Sequence, residues 1–284
     1  MSTISDFTGY TPTWCPGCGN HGIGMAIKTA LVKLNYDPSS LFVVFGIGCS
    51  GNMSDFLNAY AIHALHGRAI PNAIGAKLAN HKKKVIVIAG DGDCYGEGGN
   101  HFIHACRGNF DITVIVHDNR VYGLTTGQAA PTAEKGYKSK STPFGIIEEC
   151  FNPLSASISQ GASFVAQTFA GDMNHMTQII QKGILHKGFS LINILQPCVT
   201  FNKINTFKFY LKNSYKLSEK YNPRDKDKAI EKANELNSIK FPLGTLYMEK
   251  NRKIYSDYLP QLKNNVLIKN KKFSDYKLLL QDFS

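Results

Sequence analysis

Short apolar runs, mostly β-branched, recur as far as residue 200, and most stop at glycine, an acidic or amide group, or cysteine. Leu41 to Phe45 ends in Gly46-Ile47-Gly48-Cys49-Ser50-Gly51-Asn52, and Val85 to Ala89 ends in Gly90-Asp91-Gly92-Asp93. Ile112 to Val116 ends in His117-Asp118-Asn119, and Ser190 to Leu195 in Gln196-Pro197-Cys198. Ser163 to Phe169 is a further run of the same kind. Unbroken apolar runs of this length fit strands buried on both faces of a sheet. Between them the apolar spacing changes to three and four. His21 to Leu34 places Ile23, Ile27, Ala30, Leu31 and Leu34 on one helix face, with Asn20 as its expected N-cap. Helices are also expected over Ala69 to Asn80, from Glu97 onward, over Pro153 to Gln160, and over Asp172 to Lys187. Strand and helix in alternation predict an α/β fold, a mostly parallel sheet with helices on both faces. Ligands of such sheets sit at the carboxyl ends of the strands.

Beyond Val199 the pattern changes. Aromatic residues and lysines intermix, with a helix expected over Asp225 to Asn237 and an extended piece at Phe241 to Tyr247. Residues 1–200 are therefore read as the α/β domain, and residues 201–284 as a C-terminal arm that wraps the body or a partner. The formal net charge is +11, and it is uneven. Residues 201–284 hold 18 Lys and Arg against 9 Asp and Glu, or +9, and residues 1–200 hold 14 against 12, or +2. The basicity belongs to the arm and is read as a solvated surface; neither nucleic acid nor a membrane is expected as a partner. No apolar run approaches the roughly 20 residues of a membrane span. With no leader-like start, the expected location is cytoplasmic.

The strand ends carry the candidate chemistry. Gly90 and Gly92 let the backbone approach an anion, and Asp91 and Asn119 offer the hard oxygens that Mg²⁺ prefers. The long polar loop from Val121 to Thr142 fits the rim of an active site. Seven cysteines in a cytoplasmic chain argue for metal or redox chemistry over disulfides. Cys15-Pro-Gly-Cys18 aims two sulfurs at one point, while Cys49 and Cys198 close strand ends expected at the same sheet edge. Four such thiolates suit either a 4Fe–4S cluster or zinc. Cys94, Cys106 and Cys150 have no paired spacing and read as ordinary cysteines. His66 and Arg68 precede a helix where an anion would lie, His66 being the better functional candidate.

Gly90-Asp91-Gly92 followed by Asn119 (119 − 91 = 28) resembles the thiamine-diphosphate signature. More broadly, the chain resembles the β subunits of 2-oxoacid:ferredoxin oxidoreductases. The resemblance runs through TWCPGCGN (13–20), GIGCSGN (46–52), HALHGRA (63–69), GDGD (90–93), HDNRVYGLTTGQ (117–128) and LQPC (195–198). It is looser in YNPRD (221–225) and FPLGTLY (241–247). It implies that Cys15, Cys18, Cys49 and Cys198 ligate one 4Fe–4S cluster. Ile47, Gly48, Cys49, Ser50 and His66 would line a thiamine diphosphate site, with Gly92 and Asp93 at the diphosphate. Asp91, Asn119 and the Val121 carbonyl would bind Mg²⁺, and Gly123 and Leu124 would close the pocket.

The resemblance further implies a split architecture. An obligate α subunit would supply the glutamate that activates thiamine, for which this chain shows no convincing equivalent. The implied reaction converts a 2-oxo acid, CoA and oxidised ferredoxin into acyl-CoA, CO₂ and reduced ferredoxin. Asn52 stands where some relatives carry Lys or Arg; it would lie at the substrate and favour a smaller acid such as pyruvate over 2-oxoglutarate. Two other readings use the same residues. One is a non-oxidative thiamine-dependent decarboxylase or synthase subunit, and the other a zinc-stabilised non-catalytic partner.

Overall fold

The computed structural model describes residues 2–263 and 266–269. In chain order the main elements are α1 (Gly19–Lys33), β1 (Leu41–Phe45), β2 (Ala61–His63), α2 (Ala69–Ala79), β3 (Lys84–Gly90) and α3 (Gly99–Gly108). Next come β4 (Thr113–Asp118), the short hairpin strands β5 (Val121–Tyr122) and β6 (Gln128–Ala129), α4 (Pro153–Ser159), β7 (Phe164–Phe169), α5 (Met173–Leu185) and β8 (Ser190–Leu195). The chain continues with α6 (Phe207–Asn213), β9 (Ser214–Lys216), α7 (Lys226–Asn234) and β10 (Phe241–Met248).

The strands other than β5 and β6 form one sheet, in the order β2-β1-β3-β4-β8-β7-β10-β9. Pairing from β2 to β7 is parallel throughout. The expected α/β sheet is therefore present, with β3, β4 and β8 in its interior. Each central strand is buried along its length because both faces are covered. Val85, Val87 and Ala89 join one core layer with α2 and α3; Ile86 and Ile88 join the other with α1 and α5. No helix among the described residues is long and apolar enough to cross a membrane.

Four of the helix starts follow side-chain chemistry. Asn152, Asp172, Thr206 and Asp225 each accept a backbone N–H of the first turn of the helix that follows. The expected cap of α1 is different. Asn20 lies inside the helix, fully buried, with Oδ1 2.7 Å from Nδ1 of His117. The helix begins two residues earlier, at Gly19, whose N–H donates to the Pro197 carbonyl at 3.3 Å. Glu97 also departs from expectation. It closes a wide, π-helical turn over Gly92–Glu97, and α3 begins only at Gly99.

Among the described residues, part of the arm belongs to the core. β10 pairs antiparallel with β7, setting Gly244 against Gln167 and Met248 against Phe164, and β9 pairs with β10. Gln167 reinforces the join by donating from Nε2 to the Pro242 carbonyl at 3.1 Å. Tyr210, wholly buried, packs its ring 5.3 Å from Phe241 and 5.7 Å from Phe169. Residues 207–248 thus extend the sheet and cover the edge of β7 instead of lying over a finished body; arm residues 264–265 and 270–284 fall outside the described ones. Phe241→Ala is expected to cost about 3–5 kcal/mol of stability by leaving a cavity among these rings. Chemical denaturation of the two proteins checks it; a loss below about 1 kcal/mol would mean that this part of the chain is not core.

Candidate active site

The carboxyl ends of β1, β3, β4 and β8 meet around two adjoining cavities. The first, of about 170 Å³, takes its walls from the turns after β1, β3 and β4. From β1 come Ile47, Gly48, Cys49 and Ser50, and from β3 come Asp91, Gly92 and Asp93. Asn119, Val121, Gly123 and Leu124 come from the end of β4 and the hairpin after it, and His66 closes one side. All residues expected at the cofactor and its metal are therefore brought together.

Their local geometry is built by backbone donors. The Asp93 carboxylate accepts the Ile47 N–H at 3.1 Å and the Gly67 N–H at 2.8 Å, tying three turns to one side chain. Only glycine fits at position 46, where a Cβ would fall 2.0 Å from the Asp93 carboxylate. Asp91 accepts from the Arg120 N–H at 2.8 Å and from the Thr132 hydroxyl. Asn119 Oδ1 accepts from the Val121 N–H at 3.0 Å, and the Asn119 carbonyl accepts from Asn202 at 3.1 Å. The turn needs Arg120 at a φ of 64°, a conformation that a bulky residue adopts only when its surroundings impose it. His66 Nε2 lies 3.7 Å from Asp93 and 3.5 Å from Glu97.

The electrostatics of this cavity favour a cation. Asp91 is buried, with Asp118 buried close by; burial first, and then the Asp118 carboxylate, holds Asp91 well above the usual carboxylate range. Burial likewise raises Asp93. Among the described residues, Ser50 Oγ, His117 Nε2 and Gln196 Oε1 are buried polar atoms with no hydrogen-bond partner, and all three residues line this cavity. Groups of this kind are costly to bury without a polar ligand or water.

The second cavity, of about 240 Å³, is bordered by Cys15, Cys18, Cys49 and Cys198, so the expected four cysteines do converge. It shares Cys49, Asn119, Gly123, Leu124 and Gln196 with the first. Trp14 donates from Nε1 to the Cys49 carbonyl at 2.6 Å and so locks the first cysteine segment against the β1 turn. Burial, and then the three neighbouring thiols, pushes Cys18 up to about 11, and burial also raises Cys49. Asn52, expected at the substrate, borders this second cavity and not the first. Cys94 and Cys106 are core residues.

Several residues of the site escape sequence reasoning. Thr132, Glu134 and Asn202 carry no local motif of their own; each acts through a partner elsewhere in the chain. Tyr122 stands out only as one letter of a longer motif, yet its ring leaves Gly92 no room for a Cβ, which would lie 2.4 Å from Cε1.

Comparison with known proteins places this geometry in a family. The model for the thiamine pyrophosphate enzyme C-terminal TPP binding domain matches residues 46–194. A second model, for the C-terminal part of the pyruvate ferredoxin oxidoreductase beta chain, matches residues 198–264. The 2-oxoacid:ferredoxin oxidoreductase 1 subunit beta of Aeropyrum pernix is 42% identical over 268 residues, covering 90% of this chain and 84% of that one. This chain belongs to the 2-oxoacid:ferredoxin oxidoreductase β-subunit family. The Saccharolobus solfataricus member is 51% identical over 208 residues, 72% of this chain and 68% of that one. A solved 2-oxoglutarate:ferredoxin oxidoreductase from Magnetococcus marinus, with 2-oxoglutarate, coenzyme A and succinyl-CoA bound, has a TM-score of 0.91. It is 33% identical, and the match covers 100% of this chain and 96% of that chain.

Within this β-subunit fold, Gly46→Ala is expected to displace the Asp93 carboxylate and break its bonds to Ile47 and Gly67. The overpacking costs about 1–3 kcal/mol, and a thermal melt should show a lower midpoint than wild type. An unchanged melt would show that the three turns do not depend on Asp93.

Proposed function

We propose that this chain is the cofactor-binding, cytoplasmic β subunit of a CoA-acylating 2-oxoacid:ferredoxin oxidoreductase. It would work with an α subunit and pass electrons from a 2-oxo acid through a 4Fe–4S cluster to ferredoxin. The observation that carries the reading is the shared wall. A cavity built from Asp91, Gly92 and Asn119 adjoins a cavity bordered by four cysteines, with Cys49 in both.

The residues present fit the groups. Asp91 and Asn119, with the Val121 carbonyl, are a hard-oxygen set for Mg²⁺. A cation there would relieve the buried pair Asp91 and Asp118, and a diphosphate would give the unpartnered Ser50 and His117 atoms a polar neighbour. The first cavity is smaller than the roughly 300–1,000 Å³ typical of complete small-molecule sites. It suits one end of thiamine diphosphate, the remainder being enclosed by the α subunit against the exposed side chains of Leu65 and Leu124. Cys15, Cys18, Cys49 and Cys198 border one cavity, and four thiolates are a donor set for a 4Fe–4S cluster.

Thiamine diphosphate, when bound, supplies the electron sink that lets a 2-oxo acid lose CO₂. This chain's part is to hold and orient. Gly92 would bring backbone close to the diphosphate, the Asp93 bonds fix the β1 turn, and His66 closes one side of the cavity. Leu124, from the hairpin, borders both cavities. Cys15, Cys18, Cys49 and Cys198 hold the cluster as thiolates.

The test is anaerobic purification with the α subunit, followed by assay of iron, acid-labile sulfide, zinc and thiamine diphosphate. About four iron per chain with bound thiamine is expected. Asp91→Ala should lose thiamine and keep iron, while Cys198→Ala should lose iron and keep thiamine. Zinc in place of iron would remove the electron path and leave the non-oxidative reading.

For substrate choice, pyruvate and 2-oxoglutarate both stand. Asn52→Lys adds a cation near Cys49 and is expected to raise the kcat/KM ratio of 2-oxoglutarate to pyruvate by about tenfold, the worth of one modest charge contact. An unmoved ratio in steady-state assays would take Asn52 out of substrate selection.

A further inference from the structure

Gln196 separates the two cavities and forms part of both walls. It follows β8 directly and is tied to the sheet by its backbone N–H, which donates to the Asp118 carbonyl at 2.8 Å. The residue is 1% exposed. It runs across Gly19, the residue after Cys18, so closely that a Cβ there would fall 2.7 Å from Gln196 Cγ. The amide ends with Nε2 3.2 Å from the sulfur of Cys18 and 3.2 Å from the Pro197 carbonyl. The Pro197 contact settles which way the amide faces, because turning it over would set oxygen against oxygen. A hydrogen-bond donor is therefore held on a cysteine sulfur, inside the protein, at the wall nearest the cofactor cavity.

A donor in that place has a definite effect on a redox centre. One-electron reduction of an iron–sulfur cluster adds negative charge, spread over its sulfurs, and hydrogen bonds to those sulfurs favour the reduced form. The effect is stronger where water is excluded. We propose that Gln196 is a positioning residue of the electron path: its amide N–H, fixed by the Pro197 carbonyl and by the space over Gly19, donates to the Cys18 sulfur and raises the reduction potential of the cluster. This rests on the proposed 4Fe–4S assignment. It adds a residue that ligates nothing and adds a direction to its effect.

The experiment is an EPR-monitored redox titration of the anaerobic αβ complex and of its Gln196→Met variant. Methionine keeps the length and volume of the side chain and removes both N–H donors. The equilibrium constant for cluster reduction is expected to fall about tenfold, a midpoint lower by about 59 mV for one electron, with iron content unchanged. A change of less than about threefold, or a rise, overturns the proposal. If the variant assembles without its cluster, wild-type complex labelled with ¹⁵N in the glutamine side-chain amide decides the matter. Electron–nuclear double resonance of its reduced cluster should then show a ¹⁵N coupling, and no coupling overturns the proposal. Failure of the underlying assignment looks different: wild-type complex would contain no iron at all.

Discussion

The structure depends on holding two carboxylates, Asp91 and Asp118, inside the protein at the ends of neighbouring strands. Burying one charge is costly and burying two like charges together more so. The surrounding residues offset this with directed donors. Arg120 gives Asp91 its backbone N–H, Thr132 gives its hydroxyl, and Asn193 donates to Asp118 at 3.0 Å. The Arg120 guanidinium, buried and ion-paired with Glu134, supplies positive charge near Asp118. The compensation is incomplete, since Asp91 stays far above the ordinary carboxylate range and one Asp118 oxygen has no partner among the described residues. A metal ion at Asp91 would complete it, so the same burial that disfavours two carboxylates prepares them for a cation.

That constraint reaches into the C-terminal region. Asn202 holds the Asn119 carbonyl, and Asn205 donates to Glu134 at 2.7 Å. The guanidinium of Arg120 sits over the ring of Phe241, 5.1 Å from its centroid. The turn that presents Asn119 is thus clamped by residues from beyond position 200. Their contribution is structural and electrostatic together: β10 closes the sheet edge, and its first residue stacks against the cation that compensates Asp118.

The two cavities show how a parallel sheet can bring two sites together. Neighbouring strands point the same way, so the turns after β1, β3, β4 and β8 all arrive at one edge. One turn, Gly46 to Asn52, serves both cavities because its backbone faces Asp93 while Cys49 faces the other cysteines. Gln196 does the same from β8. That the two cavities adjoin follows from strand order, with no long loop needed to reach across.

By itself the sequence determined the parts whose signal is local. Continuous apolar runs are enough to mark buried parallel strands, and β1, β3, β4, β7 and β8 lie where those runs stand. Glycine beside aspartate at one strand end, and Asn119 at the next, marked a hard-oxygen site because spacing across one βαβ unit places both at the same edge. The four cysteines were legible for the same reason. The tertiary structure alone decided what depends on distant partners. Asn20 reads as a cap, but a buried histidine 97 positions away draws it into the helix. Residues 207–248, rich in lysine and aromatic rings, read as an arm because their apolar faces are short and interrupted. Only the open edge of β7 and the apolar surface around Phe169 make them core. The strained turn at Arg120, the Thr132 bond and the Gln196 contact with Cys18 left no sequence pattern. Each is a single contact between segments brought together by folding, and periodicity carries no information about such contacts.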